Sequence, residues 1–395
     1  MILKWSGKSH NLTKKEKNYL FKMLDNSDVL TQGPELIKFE NSLRHYLGSK
    51  NIFCTSSAAS ALEIIADLID IKKGDEIIIP AHTYCATAIP FAKRGAKVIW
   101  ADISLNTRTI DILDVKKKIT KKTKAIVIVD LYGYAVDIKQ FKKLGKKIKI
   151  VHDCAQSIGA NFMKKKSGML ADFACYSFHS QKNITTLGEG GAIYVKNKKL
   201  ANAVKGLRHN GHRPYSSKRK YYWKPAMVDL ELDIKNVWPH KFTLSEIQCA
   251  AGHLLLKRLD SLNNIRIKRA KKIIKELHGE TLNFNIDNKN KRHVYHLLTA
   301  YVKSSKNISR DKIIDLLYKK YNIQSIVQFY PLYKYPLFKK MNLGNANCPK
   351  TELFYKNMIS FPFHVWLSEN QIKYMVLAIK KCIQELKNSK FSKIS

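Results

Sequence analysis

From residue 51 to residue 198 the chain repeats one local pattern: a short run of consecutive apolar residues, then a stretch with helical spacing. The runs are "NIFCTS", "DEIIIP", "KVIWADI", "TKAIVIVDLYG", "KIKIVHDC", "DFACYSFH" and "GGAIYVKN". A strand that is apolar at successive positions is buried on both faces. Such strands belong to sheets whose crossover helices cover both sides, so the alternation predicts an α/β fold with a mostly parallel sheet.

The flanks read differently. "KKEKNYLFKMLDN" and "GPELIKFENSLRHYL" have the spacing of amphipathic helices before the first strand. "SAASALEIIADLIDI" and "HTYCATAIPFAKRG" read as helices between strands, the second ending at Gly95. Beyond residue 245, "LSEIQCAAGHLLLKRLDSLNNIRIKRAKKIIKEL" is expected to form one very long helix. After it, "VYHLLTAYV" and "SIVQFYPLY" are expected as strands, and "RDKIIDLLYKKYNI" and "ENQIKYMVLAIKKCIQEL" as helices. The expected division is a large α/β domain over residues 1–245 and a linking helix with a smaller α+β domain over 246–395.

Composition narrows the function classes. No apolar run is as long as a membrane span, and the polar start "MILKWSGKSHNLTKKEK" does not read as a signal peptide. A cytoplasmic location is the expectation. Seven scattered cysteines without a C-x-x-C pair predict buried thiols, with no disulfide framework and no metal site. The net charge is +40, and of 71 basic residues 11 are Arg and the other 60 are Lys, spread along the whole chain. Nucleic-acid binders cluster charge and use Arg for bidentate contacts. The excess therefore reads as solvated faces, with a positive field that attracts anionic substrates.

Four features fall at the carboxyl ends of expected strands, where open α/β sheets place ligands. In "CTSSAASALEII" a strand runs through Ser57, Ala58 and Ala59 into a helix, a candidate phosphate cradle or simply an N-cap. Tyr84 in "PAHTYCATA" follows the next strand, either to lie on a heteroaromatic ring or to fill the core. In "VHDCAQS" Asp153 ends a buried strand with Gln156 three residues on. Asp153 is either the partner of a protonated ring nitrogen or another helix cap. In "HSQKNITTLGEGGAIYV" Lys182 lies five residues after Ser177; it is a Schiff-base candidate or one more surface lysine. Each alone has its ordinary structural explanation. Together, in this order, they provide the phosphate cradle, ring stacker, pyridinium partner and amine that pyridoxal 5'-phosphate needs. Gly188, Gly190 and Gly191 let the chain leave such a pocket and re-enter the sheet.

These motifs, with "TQGPELIKFENSLRHYLGSKN", "GDEIIIPAHTYCATA", "LSEIQCAAGHLLLKRLD", "VQFYPLY" and "CPKTE", make the chain resemble the pyridoxal-phosphate-dependent sugar aminotransferases of the DegT/DnrJ/StrS type, of the aspartate-aminotransferase-like fold. The resemblance implies a large cofactor domain around a seven-stranded mixed sheet and a smaller C-terminal α+β domain. It implies that Lys182 forms the Schiff base and then moves the proton, that Asp153 pairs with the ring nitrogen and that Gln156 sits near the ring hydroxyl. Tyr84 would stack on the ring, and Ser57, Ser177 and the amides of Ala58 and Ala59 would hold the phosphate. Relatives with histidine in place of the lysine are dehydratases, so Lys182 favours transamination. The chain departs from the pattern at Ala58-Ala59, where Gly-Thr is usual. It departs again at Lys241, which stands where relatives place an Asn that reaches the neighbouring subunit's phosphate, and at Val327-Gln328-Phe329. His179, Arg208, His209 and His212 are candidates for acceptor contacts, their plainer reading being surface or supporting polar residues.

The expected reaction takes an amino group from glutamate or glutamine to a keto-sugar linked to a nucleoside diphosphate, at a 3- or 4-keto position. The expected assembly is a homodimer with shared sites, and the expected setting is surface-polysaccharide or lipopolysaccharide biosynthesis. A dehydratase, a cyclitol aminotransferase and a non-catalytic basic binding protein on the same fold are the alternatives.

Overall fold

The structure, a computed structural model, describes residues 2–6, 11–212, 230–232, 234–285 and 290–389. Its described strands in chain order are β1 Ile52–Thr55, β2 Glu76–Pro80, β3 Lys97–Ala101, β4 Thr123–Val129, β5 Lys149–Asp153, β6 Asn161–Phe162 and β7 Lys165–Lys166. There follow β8 Phe173–Ser177, β9 Gly191–Val195, β10 Leu282–Phe284, β11 Lys291–Arg292, β12 Leu298–Val302 and β13 Met358–Phe361. Seven of them form one sheet in the order β1-β9-β8-β5-β4-β2-β3. The pairs from β8 to β3 are parallel, and β9 runs antiparallel to both β8 and β1. This is the mixed, mostly parallel seven-stranded sheet that the sequence pattern and the resemblance implied.

Period-two alternation with both faces covered explains why the strands of the large sheet are apolar at successive positions. Ile77, Ile79, Val127, Val151 and Ile193 face one side, in a cluster with Ala61, Leu62 and Ile65 of the helix Ala58–Leu68. Ile78, Ile126, Ile128 and Ile150 face the other, against Val115, Ile138 and Phe141 of the helices Ile112–Lys118 and Ile138–Lys142. Under β1, β8 and β9 that same side is closed by Phe39 and Leu43 of the helix Pro34–Leu47, together with Cys249 and Leu255 of the helix Glu246–Leu256. A further cluster gathers Ile273, Leu298, Ala300, Ile313, Phe361 and Ile379 around the three-stranded sheet β10-β12-β13, and Leu3 from the amino-terminal end joins it. No helix among the described residues is long and apolar enough to cross a membrane.

Four expected elements differ from what formed. The segment 82–95 holds only a 3-10 turn Cys85–Thr87 and a short helix Ile89–Lys93; Tyr84 is extended, which turns its side chain out ahead of the helix. The long helical stretch is two helices, Glu246–Leu256 and Leu259–Leu277. At the join, Arg258 turns its guanidinium to Glu16 and to the carbonyl of Asn11. "VYHLLTAYV" is a strand only from Leu298, because Tyr295 takes a left-handed φ of 44° and the amide of Val294 bonds Gly133. "SIVQFYPLY" is not a strand. Ile326 exchanges bonds with Ser360 of β13, whereas the amide of Leu332 bonds Ala81 after β2, so the segment crosses between sheets.

Candidate active site

The strand directions bring the four sequence features to one edge. β1 runs parallel to β8, and β2 to β4, so the ends of β1, β2, β4, β5 and β8 and the start of β9 meet there. A cavity of about 490 Å³ opens at this edge, lined among others by Ser57, Ala58, Ala59, Tyr84, Asp153, Gln156, Ser177, His179 and Lys182.

The cradle is built around Gly191. This residue opposes Thr55 on one side and Ser177 on the other. A side chain at 191 would put Cβ 2.3 Å from the Ser57 carbonyl carbon and 2.5 Å from the Ala58 nitrogen. Only glycine allows the turn to fold down on the strand. Ser57 caps the helix Ala58–Leu68, its Oγ accepting from the Ser60 amide at 2.9 Å. The first amides of a helix have no intrahelical acceptor, so those of Ala58 and Ala59 are offered to an anion, with the helix dipole in favour. The Ser177 hydroxyl, taking only a 3.3 Å bond from the His179 amide, keeps its proton to donate.

Asp153 is 5% exposed at the end of β5. Its Oδ1 accepts from the Ala155 amide at 3.0 Å and its Oδ2 from the Thr87 hydroxyl at 2.8 Å. Behind it Asp130, His152 and Cys154 form a buried trio whose ligand atoms lie within 4.8 Å of one another. Asp130 there accepts from the Val136 amide and the Ser167 hydroxyl, and Nδ1 of His152 accepts from the Gly168 amide. Gln156 accepts from the Tyr132 amide at 2.7 Å, which holds its side chain at the cavity wall. Tyr84 is 58% exposed, so a ring face is available at the mouth.

Lys182 stands apart from the other lysines by its surroundings. Burial lowers its pKa, against the opposing pull of Asp153, Cys175 and Glu189. Among the described residues its Nζ has no hydrogen bond and no ion pair. Lys182 is half-buried, and an amine partly withdrawn from water without a partner is costly unless it is neutral or bound to something. A carbonyl compound in this cavity would meet that need.

The remaining candidates divide. His179 lines the cavity, with Nε2 3.7 Å from Oε1 of Glu189. Arg208 does not: it is buried against Glu40 and the Cys54 carbonyl, tying the end of helix Lys198–Leu207 to β1. His209 and His212 pack on each other with ring centroids 4.9 Å apart, away from the cavity lining. Lys241 is exposed, bridges His209 and does not reach the cavity of its own chain. Several lining residues escaped sequence reasoning: Trp5, Thr87, Arg266, His296 and His364. Thr87 lies three residues after Tyr84 and shares its turn, a weak local signal. The others come from distant segments.

The geometry fits a phosphorylated, planar, carbonyl-bearing heteroaromatic group with a basic ring nitrogen. The sequence profile of the DegT/DnrJ/EryC1/StrS aminotransferase family matches residues 11–380. The chain belongs to this family. Among family relatives, it is 29% identical over 351 residues to a dTDP-3-amino-3,6-dideoxy-alpha-D-galactopyranose transaminase of Aneurinibacillus thermoaerophilus, covering 88% of this chain and 90% of that one. It is 28% identical over 372 residues to a UDP-4-amino-4,6-dideoxy-N-acetyl-beta-L-altrosamine transaminase of Campylobacter jejuni, covering 91% and 93%. The aminotransferase fold is shared with the putative sugar aminotransferase Spr1654 of Streptococcus pneumoniae, solved in PMP, PLP and apo forms. Against the PMP form the TM-score is 0.87 at 25% identity, covering 98% of this chain and 99% of that one.

Proposed function

We propose that this sugar aminotransferase takes an amino group from glutamate or glutamine and gives it to a 3- or 4-keto-6-deoxyhexose linked to a nucleoside diphosphate. The cofactor is pyridoxal 5'-phosphate. Bound, it supplies the carbonyl carbon that takes up and returns the amino group and a protonated ring that accepts the electrons of the broken C–H bond.

The chain's own residues do the rest. Ser57, Ser177 and the amides of Ala58 and Ala59 hold the phosphate. Asp153 keeps the ring nitrogen protonated, aimed by Thr87 and the Ala155 amide. Gln156, anchored by Tyr132, faces the ring hydroxyl. Tyr84 covers the ring and excludes water. Nζ of Lys182, its pKa lowered by burial, attaches the cofactor and then takes and returns the proton at the reacting carbon. The observation that carries the reading is this unpartnered amine in one cavity with Asp153 and a helix amino terminus.

The relatives' dTDP- and UDP-linked substrates support the nucleotide-sugar acceptor, and a relative named spore coat polysaccharide biosynthesis protein supports a surface-polysaccharide setting. The reading includes a cytoplasmic homodimer, in which the exposed Lys241 meets the partner's cofactor phosphate. Seven unpaired cysteines accord with a reducing compartment. It also includes the two-part division at residue 245, supported by the separate apolar cluster around β10-β12-β13.

The test loads the purified protein with cofactor, reduces it with borohydride and maps the modified residue by mass. The mass is expected on Lys182. Unreduced enzyme mixed with glutamate is expected to lose its visible band, and nucleotide-linked keto-sugars are then screened for its return with an amino-sugar product. No band loss with any amino donor would refute transamination.

A further inference from the structure

Two ordinarily charged bases line the cavity, Lys182 and Arg266, and neither forms an ion pair among the described residues. The first is used by the reaction. The second sits on the helix Leu259–Leu277 and is 8% exposed. Its Nη1 reaches the carbonyls of Tyr295 and His296 at 3.4 Å each, the long end of hydrogen bonding, and its guanidinium lies 5.5 Å from the centre of the Phe363 ring. Burial pushes its pKa down to about 10, so it remains a cation near neutral pH.

Two other arginines among the described residues are buried, Arg208 and Arg108. Arg208 pairs with Glu40, and the half-buried Arg94 and Arg258 pair with Glu63 and Asp67 and with Glu16, respectively. Arg108 lacks a carboxylate too, but its Nη2 is held by the Asn283 carbonyl at 2.6 Å, outside the cavity lining. Arg266 combines burial, two weak carbonyl contacts and an opening onto the reaction cavity. A buried guanidinium without a counter-ion costs several kcal/mol, and its planar fork is matched by a two-oxygen anion.

Its neighbours indicate which anion. Phosphate has its own place at the helix amino terminus of residues 57–59. Arg266 belongs to the wall built by His296 and Phe363–Trp366 from the carboxyl-terminal half. His296 is fixed by a chain of amides. Its Nδ1 is 3.1 Å from Oδ1 of Asn183, Nδ2 of Asn183 donates to Asn263, and Asn263 donates to the Ile158 carbonyl. Burial lowers the pKa of His296, and the charges of Lys182 and Arg266 push it further down, so both cations stand near one imidazole.

We propose that Arg266 binds the α-carboxylate of the amino donor, the group bonded to the carbon whose proton Lys182 moves. This rests on the transaminase reading above. The fork both attracts the donor and orients its C–H bond toward Nζ. Arg266 is thus the residue that selects an α-amino acid over a simple amine.

The test follows loss of the visible band in cofactor-loaded enzyme with three donors: glutamate, glutamine (γ-amide) and isoglutamine (α-amide). In wild type, glutamate is expected to exceed isoglutamine in second-order rate by roughly 10- to 100-fold, the worth of a hydrogen-bonded charge. In Arg266→Gln, glutamate is expected to fall to the isoglutamine rate, which itself stays unchanged, so the two losses do not add. The keto-sugar half-reaction, started from the amine-loaded enzyme, is expected to keep its rate. Equal rates for glutamate and isoglutamine in wild type would overturn the proposal. So would an Arg266→Gln defect confined to the keto-sugar half-reaction, which would assign the guanidinium to a diphosphate. If Arg266→Gln does not fold, the wild-type donor comparison decides alone. Wild type that reacts with no donor sinks the transaminase reading itself and this proposal with it, an outcome distinct from failure of discrimination between donors.

Discussion

Gly191→Ala tests the cradle directly. The added Cβ would stand 2.3 Å from the Ser57 carbonyl carbon, 2.5 Å from the Ala58 nitrogen and 2.6 Å from the Ser57 oxygen, where ordinary contact begins at 3.4 Å. The turn must therefore retreat by about 1 Å, the difference between 3.4 and 2.3. Backbone atoms on one side and the paired β8 on the other leave no flexible side chain to absorb it. Overpacking of this kind costs about 1–3 kcal/mol of stability. The effect on the cofactor is separate. An amide that donates to phosphate at about 2.9 Å is lost as a donor when withdrawn by about 1 Å. Each charge-assisted bond lost is worth about 1.5–3 kcal/mol, or roughly 10- to 150-fold in affinity. Titration of apo-protein with pyridoxal phosphate, read by the visible band, is expected to show at least about a tenfold weaker Kd. Pyridoxal without the phosphate is expected to bind both proteins alike. Gly279→Ala, which meets nothing within 4 Å, serves as the control, with no more than about 0.5 kcal/mol change expected. A Gly191→Ala protein that binds pyridoxal phosphate as tightly as wild type would refute the assignment of the 57–59 turn as the phosphate site.

Two further outcomes follow from the same site. Thr87→Val keeps the shape but removes the hydroxyl 2.8 Å from Asp153; apo-protein is expected to lose about 1.5–3 kcal/mol, read as a lower urea midpoint at unchanged slope, and an unchanged midpoint would show that Asp153 is held otherwise. Replacing Lys182 by Met in apo-protein probes the lowered pKa. The folded amine binds protons less readily than the unfolded one, so folding is penalised at pH below the folded pKa, and the penalty fades as pH rises toward the ordinary 10.5. Lys182→Met is therefore expected to be the more stable at neutral pH, by a margin that closes as pH rises; a margin independent of pH would mean an unperturbed amine.

The large sheet was legible because each of its strands is covered on both faces, and that requirement writes consecutive apolar residues into the sequence. Ile77 and Ile78 serve opposite layers, yet both must be apolar. The same logic failed for "SIVQFYPLY", where apolar side chains fill a crossing between sheets, with backbone bonds to β13 at one end and to Ala81 at the other. The break at Arg258 was invisible too, since residues 244–277 keep helical spacing through it.

Sequence by itself determined the order of strand ends, and hence that Ser57–Ala59, Tyr84, Asp153, Gln156, Ser177 and Lys182 lie at one edge of one sheet. This works because each follows a strand by a few residues and parallel strands end together. Tertiary structure alone decided the state of Lys182, since burial is a property of what closes over it. Nothing near residues 208–212 in sequence says that Arg208 turns inward to Glu40 while His179 faces the cavity. The far wall, with Trp5, Arg266, His296 and Trp366, is assembled from segments tens to hundreds of residues apart. Their chemistry comes from meeting in space, where a guanidinium shut away from water without a carboxylate becomes a binding site.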